Sequence, residues 1–153
     1  MTTRRLVLAA LGLLVAAGTV ALTGSRAVTG PATIRITTEQ LRSASVDVGA
    51  RGRSPGDLEI VSVLLYNKRI TPRSIGKAEL VCTYTFGPAR MCSGTFFMPR
   101  GRLVVEGSLR NREIYHLAIT GGTGLYDNAR GSLTVTRIQK KPRRELAYFR
   151  LTG

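Results

Sequence analysis

The stretch Glu113-Ile-Tyr-His-Leu-Ala-Ile-Thr-Gly-Gly-Thr-Gly-Leu-Tyr-Asp-Asn-Ala-Arg-Gly131 decides how this chain is read. Ile114 to Thr120 is rich in β-branched and aromatic residues, which suit a pleated, half-buried surface, and predicts a strand. Gly121, Gly122, Gly124 and Gly131 then predict a compact loop, because glycine alone reaches left-handed backbone angles without cost. Ser132 to Ile138 resumes a strand pattern. A connection of about ten residues is too short for a crossover helix, so the two strands pair antiparallel. Gly122-Thr-Gly124 could be taken for the start of a dinucleotide-binding loop. No third glycine follows at the required offset, however, and no helical pattern opens behind it.

Outward from this stretch the chain reads as strand after strand. Alternating or continuously apolar runs at 57–67, 75–86, 91–98, 102–110, 113–120, 132–139 and 145–151 are separated by turns holding Pro72, Gly87-Pro88, Pro99-Arg-Gly101 and Pro142. No segment after the N-terminal leader has a helical period. An antiparallel meander of seven or eight strands removes its exposed edges by closing on itself. Ile60 and Leu64 oppose Val61, Val63 and Leu65, and Leu103 and Val105 oppose Val104. Apolar residues on both parities predict that the outer surface is partly covered, by the N-terminal segment or by a partner subunit.

The remaining sequence sets the compartment and the charge. Residues 1–27 form a targeting segment: Arg4 and Arg5, an uncharged apolar run from Leu6 to Leu22, and Ser25-Arg-Ala27 for a signal peptidase. The alternative is an uncleaved membrane anchor through residues 6–24, since the run approaches the ~20 residues that span a bilayer. Residues 28–55 are expected as a linker with one edge strand at Thr33 to Thr38, and 56–153 as the folded domain. The chain has 23 Lys and Arg against 9 Asp and Glu, a net charge of +14. Without the three arginines of the leader the exported part keeps +11. A positive surface favours polyanions, here an anionic cell-envelope surface. Export and the lack of aromatic residues interleaved with basic ones argue against a nucleic-acid partner. Lys140-Lys-Pro-Arg-Arg144 is expected as a solvated turn.

Cys82 and Cys92, the only two cysteines, lie in consecutive strands around Gly87-Pro88 and predict a disulfide in an oxidising compartment. Two cysteines and the single histidine, His116, are too few for a closed metal site, so neither metal nor other cofactor is expected. No Gly-x-Ser-x-Gly elbow or phosphate loop is present. His116 is expected to be structural or solvent-facing. What remains is a barrel interior with apolar walls, suited to a small hydrophobic molecule. Tyr66, Asn67, Tyr84, Tyr115, Tyr148 and Arg150 are the candidate polar groups of that cavity, of which parity lets about half point inward.

Leu117 to Gly131 resembles the central signature of plant allene oxide cyclases and dirigent proteins, including their small bacterial relatives. Gly94-Thr-Phe-Phe-Met-Pro-Arg-Gly-Arg-Leu-Val-Val-Glu-Gly107 is similar to the preceding strand, turn and strand of that family, and Gly56-Asp-Leu-Glu-Ile-Val61 to its opening strand. The resemblance covers roughly residues 56–153. It implies an all-β, antiparallel, eight-stranded up-and-down barrel, preceded here by a signal or anchor helix, and a dimer or trimer. It also implies cofactor-independent cyclase or coupling chemistry, an isomerase if the chain is an enzyme. The plant cyclases present a glutamate and, two residues on, an asparagine to an epoxide. Set on Leu65-Tyr-Asn-Lys68, Asn67 keeps the asparagine while Leu65 stands where the glutamate belongs. Asp57 and Glu59 sit at the other end of that strand. The alternative to a ligand-binding barrel is a non-catalytic extracytoplasmic interaction domain that meets the envelope through its basic surface.

Overall fold

The computed structural model describes residues 30–67 and 70–152. The leader expected at residues 1–27 lies outside the described residues. Eight strands follow one another: β1 Pro31–Val46, β2 Leu58–Tyr66, β3 Gly76–Tyr84, β4 Arg90–Met98, β5 Gly101–Leu109, β6 Ile114–Gly124, β7 Gly131–Gln139 and β8 Arg144–Thr152. Each pairs antiparallel with the next, and β8 returns to β1, so the sheet is a closed up-and-down barrel. Closure leaves no row of unpaired amides, which an open sheet of this length would expose.

Three expectations are corrected in detail. Within the segment expected as a linker with an edge strand, residues 31–46 form β1, the longest strand at 16 residues, paired on both sides to β2 and to β8, and only the part after Val46 is a connecting loop. The weak apolar signal of β1 arises because its outer positions, such as Thr33 and Arg35, are exposed, and two of its inward positions, Thr38 and Gln40, are polar while Ala32, Ile34 and Ile36 pack on the core. The barrel therefore begins at Pro31 rather than near residue 56. Further on, the strand before the glycine loop does not stop at Thr120. β6 runs through Gly121 and Gly122 to Gly124, paired with Val104 to Gly101, and a bulge at Val104/Val105 absorbs the extra residue.

The glycines are needed because strands approach one another closely here. Gly131 has φ of 141°, and a Cβ on it would run into the backbone carbonyl of Arg150 on β8. Gly124, at φ 65°, turns the chain beneath Arg100, whose carbonyl accepts the amide of Leu125 at 2.8 Å. The loop then tucks Tyr126 and Ala129 into the end of the barrel. The glycine stretch thus closes one end of the molecule.

Strand parity is settled by closure. Val61, Val63 and Leu65 of β2, Leu103 and Val105 of β5, Leu117 and Ile119 of β6, and Ala147, Phe149 and Leu151 of β8 all turn into the lumen. Eight strands enclose a lumen just wide enough for side chains to fill. Phe96 and Phe149, from opposite walls, meet edge to face with centroids 5.0 Å apart and fill its middle. On the outside, Ile60 of β2, Val81 of β3 and Val104 of β5 remain partly exposed and, with Phe97 of β4, line one shallow outer groove.

Candidate functional site

Above the Phe96–Phe149 contact Val61, Val63, Val135 and Ala147, with Leu80, Leu109, Leu117 and Leu133, leave part of the lumen unfilled. The lumen there is a cavity of about 40 Å³ in which the centre of a water molecule can move. That is room for roughly three waters or the slim end of a planar guest. Its walls are apolar, and its rim is charged. Thr38, Gln40, Glu59, Arg90, Tyr115, Arg143 and Glu145 all line it.

The rim is built where β2, β4, β6 and β8 begin and β3 and β5 end. Two clusters form on it. In the first, Glu59 Oε2 lies 3.2 Å from Arg90 Nη1, accepts from the Tyr84 hydroxyl at 3.0 Å and lies 3.4 Å from Arg112 Nη2. Arg112 also donates to the Tyr84 oxygen. The guanidinium of Arg53, in the loop after β1, stacks over the Tyr84 ring at 4.8 Å. In the second cluster Tyr115 donates to Glu145 Oε2 at 3.0 Å, and Arg143 Nε donates to Glu145 Oε1 at 2.8 Å. Burial, then the adjacent Glu145 carboxylate and the hydrogen bond to it, push the Tyr115 hydroxyl well above its ordinary range, because an anion there would be both desolvated and repelled. Tyr115 is thus a neutral hydroxyl held as a hydrogen-bond donor against a carboxylate at the edge of an apolar chamber. A rim of this kind can hydrogen-bond and orient a guest, while the walls exclude water.

The residues singled out from sequence distribute as follows. Tyr115 lines the cavity, and Tyr84 is buried at its rim on Glu59. Tyr66 shares the outward parity of Ile60 and Leu64, where it is buried beside its register partner Thr37. Tyr148 is half-buried on the outward parity and Arg150 is exposed there, the guanidinium 6.0 Å from the Tyr148 ring. Asn67 is exposed in the bend after β2, at the glycine-loop end of the barrel and away from the charged rim. Leu65 is fully buried in the core. His116 is exposed, with Nδ1 3.0 Å from Thr134 Oγ1. The turn 140–144 is more than a solvated loop: Arg143 joins the rim, and Arg144 pairs with Glu39 at 2.6 Å.

Glu59, Arg90, Arg112, Arg143 and Glu145 were not among the candidates, although one signal for two of these positions was present. Cys82 and Cys92 pair directly across β3 and β4 with Cα atoms 4.0 Å apart, and Cys82 lines the cavity. With both cysteines inward, period two carries Tyr84 and Arg90 inward as well, and cross-strand pairing of Cys82 with Glu59 brings that carboxylate to the same level.

The closed eight-strand barrel is the fold shared with dirigent proteins and Diels–Alderases, in agreement with the resemblance to the allene oxide cyclase group. One similar solved structure, a pyocyanin demethylase, is 26% identical over 79% of this chain and 100% of its own, with a TM-score of 0.67. An exo-specific intermolecular Diels–Alderase is 17% identical over 81% of this chain and 99% of its own, at a TM-score of 0.62. A pterocarpan synthase dirigent protein is 14% identical, covering 80% of this chain and 94% of its own at a TM-score of 0.61. No protein-family model matches the sequence, and no curated protein does.

Proposed function

We propose that this chain is an exported small β-barrel that binds a small hydrophobic molecule in its lumen and steers a cyclisation or coupling of it. The observation that carries the reading is the apolar chamber, floored by Phe96, which is backed by Phe149, and rimmed by Glu59, Arg90, Tyr115 and Glu145. Such a chamber lowers a barrier by holding one reactive conformation, which needs shape and few reactive groups. The solved neighbours are named for chemistry on small molecules: demethylation of pyocyanin, an intermolecular Diels–Alder reaction and pterocarpan synthesis. Glu59 and Glu145 supply the carboxylates that Leu65 lacks, so the Asn67 route is set aside in favour of the rim. The reaction class would be that of a cofactor-independent isomerase.

Export rests on the leader at residues 1–27 and on the Cys82–Cys92 disulfide, which persists in an oxidising compartment. A dimer or trimer would use the outer stripe of Ile60, Val81 and Val104. The second reading, an interaction domain on the anionic envelope, is favoured by the charge alone. Most acids are already paired, Glu39, Glu59, Glu79, Glu113 and Glu145 among them, which leaves the surplus of arginines to the surface.

The test is mass spectrometry of small molecules carried by the mature protein purified from its native host. The expected result is a stoichiometric apolar compound that is lost from a Val63→Phe variant, in which the cavity is filled. Salt-dependent retention on anionic polymer with no such compound would favour the second reading instead.

A further inference from the structure

In a closed up-and-down barrel every connection that follows an odd-numbered strand lies at one end, so the β1–β2 loop and the β3–β4, β5–β6 and β7–β8 turns all stand at the end that holds the chamber's rim. That end exposes apolar side chains. Phe86, at the tip of the β3–β4 turn, is 87% exposed. The turn holds it there, because Thr85 donates both its amide, at 3.0 Å, and its hydroxyl, at 3.1 Å, to the Ala89 carbonyl, and Gly87 takes a φ of 69°. Val48 in the β1–β2 loop, Ile114 at the start of β6 and Ile138 near the end of β7 are exposed as well. In the turns of the opposite end, among the described residues, no large apolar side chain is exposed, and Tyr126 and Ala129 are tucked in. Cations are interleaved with the apolar tips. Arg51, Arg53, Arg110, Lys140 and Lys141 are exposed in these same connections, and none of them forms a salt bridge among the described residues.

We propose that the chamber end of the barrel docks on the surface of an anionic lipid bilayer, with Phe86 entering the headgroup boundary and the cations meeting lipid phosphates. Apolar side chains set among Lys and Arg suit that interface, where binding grows with the apolar area buried and each basic residue near the surface adds about fivefold in affinity. An anionic polysaccharide would engage the charge and leave Phe86 in water. A second copy placed end to end would set like charges against each other. The start of β1, which follows the leader, is at the other end, so the contact belongs to the barrel itself. Docking requires no guest. A corollary rests on the ligand-binding reading of the chamber: its rim then faces the phase in which an apolar guest concentrates.

Flotation of the mature protein with vesicles of phosphatidylcholine alone, or of phosphatidylcholine mixed equally with phosphatidylglycerol, tests this. Binding to the mixed vesicles is expected to be tighter by about tenfold or more. Phe86→Ser and the double variant Lys140→Ser/Lys141→Ser are each expected to weaken it about fivefold or more, with thermal melts unchanged because these side chains are exposed. Arg35→Ser/Arg150→Ser removes the same charge from the outer wall and is expected to bind within about twofold of the unmodified protein, since charges beyond a Debye length from the lipid are screened. The chain has no tryptophan, so Phe86→Trp supplies a single reporter whose emission is expected to shift to the blue with mixed vesicles and not with phosphatidylcholine alone. Absence of binding, or an unshifted emission, would overturn the proposal. Binding that Phe86→Ser leaves unchanged, or that Arg35→Ser/Arg150→Ser weakens equally, would overturn it too and assign the charge to polyanions in general. None of these outcomes bears on the chamber, whose occupancy is read separately by mass spectrometry of bound small molecules.

Discussion

Phe96 of β4 and Phe149 of β8 face each other across the lumen at 5.0 Å, with ring planes 87° apart. This contact divides the interior. Below it Leu65, Leu103 and Leu151 fill the barrel, and above it a chamber lined by Val61, Val63, Val135, Ala147 and four leucines stays open. Phe149→Ala is expected to destabilise the protein by about 3–5 kcal/mol, the usual loss for a buried phenylalanine, and to extend the cavity downward. Urea unfolding measures the first effect. The second shows as new binding of a small apolar probe such as benzene, and its absence would mean that the space left by the ring collapses.

Cys82 and Cys92 close a loop with a sequence separation of 10 between register partners. Chain-entropy arguments give a bridge over so short a loop about 3 kcal/mol. Reduction, or replacement of both cysteines by alanine, is expected to lower stability by that order. Because Cys82 also lines the cavity, a change in guest binding should accompany the loss. Parallel melts with and without reductant give the measurement.

Asp57, at the entry to β2, accepts the amides of Val48 at 2.8 Å and Ser54 at 2.6 Å, and these two bonds hold its carboxyl below the ordinary carboxylate range. A group with a depressed folded pKa stabilises the fold at pH values above its unfolded pKa, about 4. That contribution is lost as pH falls through the folded value. The midpoint of unfolding should therefore drop below pH 4, with the loop after β1 loosening first, and Asp57→Asn should flatten this part of the profile. A profile identical in the variant would place the acid sensitivity elsewhere.

At the alkaline end the sign is reversed. Tyr115 has its hydroxyl pKa raised by burial and by Glu145, so the fold favours its protonated form. The resulting stabilisation is complete below the unfolded value of about 10 and declines as pH rises above it. Of the 5 tyrosines, Tyr115 should be the last to ionise in a spectrophotometric titration. Tyr115→Phe should leave the absorbance change below pH 11 intact. Loss of amplitude there would show that the hydroxyl is open to solvent.

How much was legible before the structure differs between fold and site. Six of the seven strands read from β-branched runs and turn residues agree with β2 to β8 to within two residues, and the other, β6, runs four residues beyond its predicted end. The disulfide partners were also named from the sequence. The glycine signature drew attention to itself because close backbone approach admits no other residue, as at Gly131 against Arg150. The polar rim was hidden for a related reason. Glu59, Arg90 and Glu145, taken alone, look like solvated residues at strand ends, and only their mutual pairing makes burial affordable.

The linear order of residues determined a meander of strands with one cross-strand bridge, since alternation, turn chemistry and cysteine spacing are local properties. The tertiary structure alone decided which parity faces inward, because a single strand is symmetric in that choice until the sheet closes. Closure drew Pro31–Val46 into the wall and set the glycine loop at one end and the charged rim at the other. It also brought together Glu59, Arg90, Tyr115 and Glu145, from four strands, around one small space.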